Sequence, residues 1–353
     1  MIEQFIKKEY KIKEFDEKAD IYIINTCTVT NMADRKSRQM LRRAKELNPD
    51  SIIVACGCYA QVAKEELEKI PEIDVIYGTN EKNQIADLVD ALGTFPNASS
   101  VPFASEAEKN NTQKEAKVTD VMYQKEFLDF GVTDYTEKTR AVVKVQDGCD
   151  RFCSYCIIPY ARGHVRSRKI ENTVEEVKVI AQNGIKEVVI TGIHLASYGK
   201  DFKPKASLID VLEQINKIDG IERIRLGSLE PTLITEEFLK RLTKLEKICD
   251  HFHLSLQSGC DEILKRMNRR YTTEEFAKSV ELLRKYYKNV ALTTDIIVGF
   301  PGETEEEFNE TYEFLKKINF YQMHIFKYSP RKGTKAAVMP NQIDGNIKEQ
   351  RSA

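Results

Sequence analysis

The segment Cys149-Asp150-Arg151-Phe152-Cys153-Ser154-Tyr155-Cys156 decides how this chain is read, because three thiols spaced four and three residues apart on a short polar stretch can converge on one metal centre. A 4Fe-4S cube has four irons and usually takes four cysteine thiolates. This spacing supplies three, so one iron keeps a corner open to a ligand that is not protein, and an open corner is where chemistry can occur. A zinc site or disulfides are the alternative. Zinc needs a fourth ligand at matching spacing, and His164 lies well beyond Cys156.

The rest of the composition narrows the setting. No stretch approaches 18 apolar residues and no signal peptide opens the chain, which points to the cytoplasm and away from a membrane. Eight cysteines in an intracellular protein serve as metal or redox ligands rather than as a disulfide framework. With 54 basic and 55 acidic residues, net charge leaves a nucleic-acid partner open and only local patches can speak to one. The 353 residues have room for two domains.

Carboxyl-terminal to the cysteine segment the pattern is regular. Strands are expected at 141–146, 187–191, 223–227, 251–256, 292–298 and 322–327, with helical patterns at 173–182, 208–218, 236–245, 273–286 and 305–317. Six βα units of this length make a partial parallel barrel whose function sits at the carboxyl ends of its strands. The cysteine segment follows the first strand and opens onto that face. Lys265-Arg266-Met267-Asn268-Arg269-Arg270 reads as a solvated face, or as a rim patch for the phosphates of an RNA stem.

Toward the amino terminus, residues 93–138 form a charged, Asn- and Gln-rich linker. Residues 1–92 alternate helix (1–10, 33–47) and strand (21–24, 52–55), which implies a parallel sheet flanked by helices. Cys27 and Cys58 each fall just past a strand's carboxyl end, where open α/β sheets bind ligands. Either thiol alone reads as a buried free cysteine. Cys56 lies two residues before Cys58 and, in an extended backbone, points to the same side. The 31–45 helix carries Arg35, Lys36, Arg38, Arg42, Arg43 and Lys45, a solvated face that could also meet phosphates.

With a strand before it and Ile157-Ile158-Pro159-Tyr160-Ala161-Arg162-Gly163 after it, the CxxxCxxC segment resembles the radical S-adenosylmethionine (SAM) superfamily, specifically its methylthiotransferases. The resemblance implies a partial (β/α)6 radical SAM barrel over 139–335, preceded by a small doubly wound α/β domain with a parallel sheet over 1–92. It implies that Cys149, Cys153 and Cys156 hold the catalytic 4Fe-4S cluster and that the open iron takes the amino and carboxylate groups of SAM. Gly192 in Thr191-Gly192-Ile193-His194 would approach the SAM amino group through backbone. Glu230 in Gly227-Ser228-Leu229-Glu230-Pro231 would bond a ribose or the ammonium, and Gly299 and Gly302 in the 298–304 loop would flank the adenine. Each such glycine alone reads as a plain turn; their shared place at successive strand ends favours the ligand reading.

Asn25-Thr26-Cys27-Thr28-Val29-Thr30 and Gly57-Cys58-Tyr59-Ala60-Gln61 match two of the three cysteine motifs that hold a second 4Fe-4S cluster in this family. The family's first strand and first cysteine motif do not occur here, and residues 336–353 begin a region that in the family continues into an RNA-binding TRAM barrel. The resemblance therefore implies a chain truncated at both ends.

Three branches of the family act on isopentenyl-adenosine in tRNA, on threonylcarbamoyl-adenosine in tRNA and on a ribosomal protein. The segments 25–31, 36–39, 158–163 and 191–194 look most like the second. The implied reaction places a methylthio group on carbon 2 of the modified adenosine 3′ of the anticodon. Its partners would be a tRNA anticodon stem-loop, an electron donor such as flavodoxin or ferredoxin, and a sulfur donor. The alternatives are the other two branches, or an iron-sulfur protein that binds RNA or passes electrons without turnover.

Overall fold

The computed structural model describes residues 2–93, 115–131 and 139–353. The chain divides into two compact units, one of residues 1–124 with 160–163 and the other of residues 125–159 with 164–353.

In the first unit, β1 (Ile21–Thr26), β2 (Ile52–Gly57), β3 (Val75–Tyr77) and β4 (Glu115–Lys117) form one parallel sheet in that order. Helices α1 (Ile2–Lys7), α2 (Asn31–Leu47), α3 (Cys58–Val62), α4 (Lys64–Leu67) and α5 (Ile85–Gly93) accompany it. Alternation along β2 sends Ile53 and Ala55 into a core with Tyr22, Ile24, Leu41 and Ala44, and sends Val54 and Cys56 into another with Phe5, Val75, Tyr77 and Ile85. Both faces of the sheet are thereby covered, as a parallel sheet requires. α2 begins where the Thr30 hydroxyl accepts from the Ala33 amide, and its buried side is Asp34, Ser37, Leu41 and Ala44.

β4 lies inside the stretch read from sequence as linker. A three-residue strand of Glu, Ala and Lys carries no apolar alternation, so only its pairing to β3 reveals it. Residues 94–114 and 132–138 of that stretch lie outside the described residues.

The second unit holds β5 (Ala141–Asp147), β6 (Arg166–Ser167), β7 (Glu187–Gly192), β8 (Arg223–Leu226), β9 (His251–His253), β10 (Ala291–Val298) and β11 (Gln322–Lys327). One sheet runs β6-β5-β7-β8 and the other β9-β10-β11, and all pairs are parallel except β5 with β6. Parallel bridges Ile224 to Ile248 and Leu229 to Leu254 carry the curve from β8 to β9. Leaving aside β6, six strands follow one another in chain order around a partial barrel.

Between them lie α6 (Ile158–Arg162), α7 (Ile170–Gln182), α8 (Leu208–Asn216), α9 (Glu236–Leu242), α10 (Asp261–Arg266), α11 (Thr273–Tyr286) and α12 (Glu305–Ile318), with α13 (Gly345–Ser352) last. Capping boxes Ser207/Asp210, Thr272/Glu275 and Thr304/Glu307 start α8, α11 and α12. All six expected barrel strands are present, the fourth shortened to three residues. Among the described residues no helix is long and apolar enough to cross a membrane.

Candidate cluster and cofactor site

The cysteine loop leaves the carboxyl end of β5 through Gly148, whose φ of 71° is left-handed, and it turns again at Phe152 with φ 48°. Its backbone is tied down from one side. The Ser154 amide donates to Met267 O at 2.9 Å, the Ser154 hydroxyl donates to Arg266 O at 2.8 Å, and the Ala336 amide donates to Ser154 O at 2.8 Å. Asn268 Nδ2 donates to Phe152 O at 3.0 Å. A loop fixed at this many points holds its side chains in place before any ligand arrives.

Burial pushes the Cys156 thiol up to about 12 and raises Cys149 as well. The neighbouring thiols add to this: Cys153 raises both, and Cys149 raises Cys156, so the three sulfurs lie close enough to sense one another. Opposing them, the Arg151 amide is hydrogen-bonded to Cys149, the Ile158 amide to Cys156, and Arg269 Nη1 donates to Cys153 Sγ at 3.4 Å. Donors aimed at sulfur are the surroundings that a thiolate cluster needs. Among the described residues no three His, Cys, Asp or Glu side chains close on the single point that one metal ion requires. Three cysteines of a cubane bind three different irons, and three neighbouring thiols with amide and guanidinium donors beside them are the donor chemistry that such a cluster takes.

Beside the loop, Glu230 gathers positive charge. It is 4% exposed, and its Oε2 accepts from Arg151 Nη2, from Thr232 Oγ1 at 3.0 Å and from His194 Nε2 at 3.1 Å, while Arg269 stands 3.8 Å from Oε1. Burial opposes ionisation, but the His194 bond and the charges of His194, Arg151 and Arg269 outweigh it and hold the carboxyl at about 2. The structure therefore engages Glu230 with protein, leaving Oε1 as its freer oxygen.

The expected rim glycines differ from one another. A Cβ on Gly192 would sit 2.9 Å from Gln146 Cβ, so that glycine is required by strand packing. Gly299 (φ 70°) is covered by the Lys348 side chain, and Gly302 (φ 74°) faces open space. The basic run at 265–270 is not a patch. Arg266 pairs with Glu307, Met267 is fully buried, and Arg269 lies over the Tyr271 ring beside Cys153. Sequence reasoning missed Arg151 and Arg269 as site residues, because nothing in chain spacing announces that Arg269 reaches a sulfur 116 residues away.

In the first unit, the register pairs Asn25 with Cys56 and Thr26 with Gly57, which sets Cys27 and Cys58 one residue past the paired ends of adjacent strands. Gly57 has φ 102°, and a Cβ there would lie 2.6 Å from both Asn25 Oδ1 and Thr26 O. That turn breaks the extended backbone on which a shared direction for Cys56 and Cys58 was expected. Cys56 is instead buried in the core, its thiol pushed up to about 11 chiefly by burial, while Cys58 opens α3. Arg162 Nε donates to Cys58 Sγ at 3.2 Å, and Cys27 is exposed. Of the α2 cations, Arg38 is spent on the Tyr59 hydroxyl, Arg43 on Asp16 and Lys45 on Ser51 O. Cys260 is buried and Cys249 half-buried.

A three-thiol loop at the first strand end of a six-strand partial barrel defines the radical SAM class, and the model of the radical SAM superfamily matches residues 143–315. Residues 1–78 match an uncharacterized protein family, UPF0004. A solved structure of the radical SAM methyltransferase TsrM from Kitasatospora setae, with cobalamin and a 4Fe-4S cluster bound, superposes with a TM-score of 0.63 at 17% identity, covering 95% of this chain and 68% of that one. The threonylcarbamoyladenosine tRNA methylthiotransferase MtaB of Bacillus subtilis is 41% identical over 98% of this chain and 73% of its own. The tRNA-2-methylthio-N(6)-dimethylallyladenosine synthase of Clostridium tetani is 37% identical over 97% of this chain and 73% of its own. The chain belongs to the radical SAM methylthiotransferase family.

Proposed function

We propose that this protein converts N6-threonylcarbamoyladenosine, 3′ of the anticodon in tRNA, to its 2-methylthio derivative. The anchored three-thiol loop carries the reading, because its donor set fits a cluster with one open iron. Cys149, Cys153 and Cys156 would hold that cluster. When bound, the cluster supplies the electron that cleaves SAM and so the radical needed for an aryl C–H bond, which resists acid-base chemistry.

The chain's own residues prepare the site. Arg269 and the amides of Arg151 and Ile158 offset the negative charge that three thiolates gather. Glu230 stays ionised and fixes Arg151 and His194 beside the loop, with Oε1 available to a ribose or ammonium. Gly192, Gly299 and Gly302 are assigned to the SAM surround, Gly302 having the room and Gly299 needing Lys348 to move aside.

Cys27 and Cys58 would serve the second, sulfur-carrying cluster, with Arg162 as a donor to Cys58. The described residues give that cluster two ligands. The target base must leave the stack of the anticodon loop to reach a barrel mouth, and an electron donor such as flavodoxin or ferredoxin and a sulfur donor complete the cycle.

Nucleosides of tRNA from a strain lacking the gene, measured by mass spectrometry, test this. Loss of 2-methylthio-threonylcarbamoyl-adenosine is expected. Loss of the 2-methylthio-isopentenyl derivative instead would assign the protein to the branch of the Clostridium tetani relative.

A further inference from the structure

A cavity of about 270 Å³ lies in the second unit beside the cysteine loop, lined among others by Asp150, Arg151, Lys200, Asp201 and Arg270. Its two carboxylates are held by other partners, and two of its cations are not. Asp150 is spent on His164 Nδ1 and Asp201 accepts from the amide and hydroxyl of Ser167 at 2.8 and 2.6 Å. Arg151 is spent on Glu230. Neither Lys200 Nζ nor the Arg270 guanidinium makes a hydrogen bond or ion pair among the described residues, and both are exposed to the cavity's solvent. Partial burial and then the charges of Arg151 and Arg270 hold the Lys200 ammonium below its ordinary value, despite Glu230 nearby. Two cations crowded this way and turned to solvent, with the lining carboxylates hydrogen-bonded to His164 and Ser167 instead, make a place for an anion.

We propose that this cavity receives the carboxylate of the threonylcarbamoyl group, held by Lys200 and Arg270, and so selects that base over neutral N6 substituents. The inference rests on the substrate reading above. A threonylcarbamoyl group ends in a free carboxylate, a dimethylallyl group carries no charge, and the cavity lies next to the loop where the base must be presented. A guanidinium and an ammonium together suit a carboxylate, the first as a planar fork and the second as a point charge.

The test is binding of the full chain, with its clusters reconstituted and no SAM present, to three fluorescent anticodon stem-loops. One carries threonylcarbamoyladenosine, one its methyl ester and one unmodified adenosine. The wild type is expected to bind the acid about tenfold more tightly than the ester. K200A/R270A is expected to lose that preference while binding the ester and the unmodified loop as the wild type does, and K200R/R270K to keep it. Circular dichroism and cluster absorbance check that each variant folds.

Equal weakening on all three loops would mean contacts to RNA phosphate and would overturn the proposal. So would a wild type that does not distinguish acid from ester. Failure of the substrate reading shows separately, as absence of methylthio product when wild type is supplied with the threonylcarbamoyl stem-loop, SAM, reductant and sulfide.

Discussion

Two places in this molecule put cysteines at the carboxyl ends of parallel strands, and they are built differently. In the barrel, the loop after β5 is tied to the 266–268 segment and to Ala336, its sulfurs receive amide and guanidinium donors, and Glu230 with its ring of cations stands beside it. In the first sheet, the thiols of Cys27 and Cys58 hang on two neighbouring strand ends, one exposed, the other met by Arg162. The contrast is between a loop anchored from several segments of one unit and a pair of thiols of which Cys27 is exposed and Cys58 is buried against Arg162. Anchoring of this kind is what a site that must cleave a bond requires.

The sharpest way to break this comparison is to remove the barrel thiols. C149A, C153A and C156A are each expected to drop reductive cleavage of SAM to background, measured as 5′-deoxyadenosine formed under dithionite, with loss of the barrel cluster's absorbance. Retained cleavage in any of them would move the chemistry elsewhere.

Next comes Glu230. E230Q leaves half-buried Arg151 and Arg269 short of their counter-charge and is expected to cost about 1.5–3 kcal/mol in urea unfolding. Because the folded carboxyl sits at about 2, below its ordinary 4.5, its stabilisation is present above pH 4.5 and is lost as pH falls toward 2. E230Q should therefore flatten the acid limb of the stability profile.

R269Q removes the guanidinium from Cys153 and is expected to weaken iron retention against a chelator by about 10–100-fold, leaving the barrel folded by circular dichroism. The smallest effect on SAM cleavage is expected from C58A. It should still form 5′-deoxyadenosine while methylthio product disappears from the nucleoside mass spectrum. If C58A also abolished SAM cleavage, the two sites would not be separable in the way their architecture suggests.

Much of this was legible along the chain. The cysteine spacing, the six strand patterns and the strand-end positions of Cys27, Cys58, Gly192, Glu230, Gly299 and Gly302 are local features, set by turn chemistry and by the period of apolar residues. β3 and β4 were not legible, since three residues are too few to show a period. Cys56 misled for a related reason: its direction hinged on whether Gly57 stayed extended, and the left-handed φ at Gly57 is settled by the close approach of Asn25 and Thr26 from the neighbouring strand.

What the sequence by itself determined is therefore the class of fold and the strand-end placement of the candidate thiols, because both follow from short-range spacing on elements that form locally. Tertiary structure alone decided which charges face those thiols. It split the 265–270 run into a half-buried ion pair at Arg266, a core residue at Met267 and a sulfur donor at Arg269, and it left Lys200 and Arg270 together at a cavity. The physical reason is that electrostatic neighbours are set by distance through space, and barrel closure brings together residues more than a hundred positions apart.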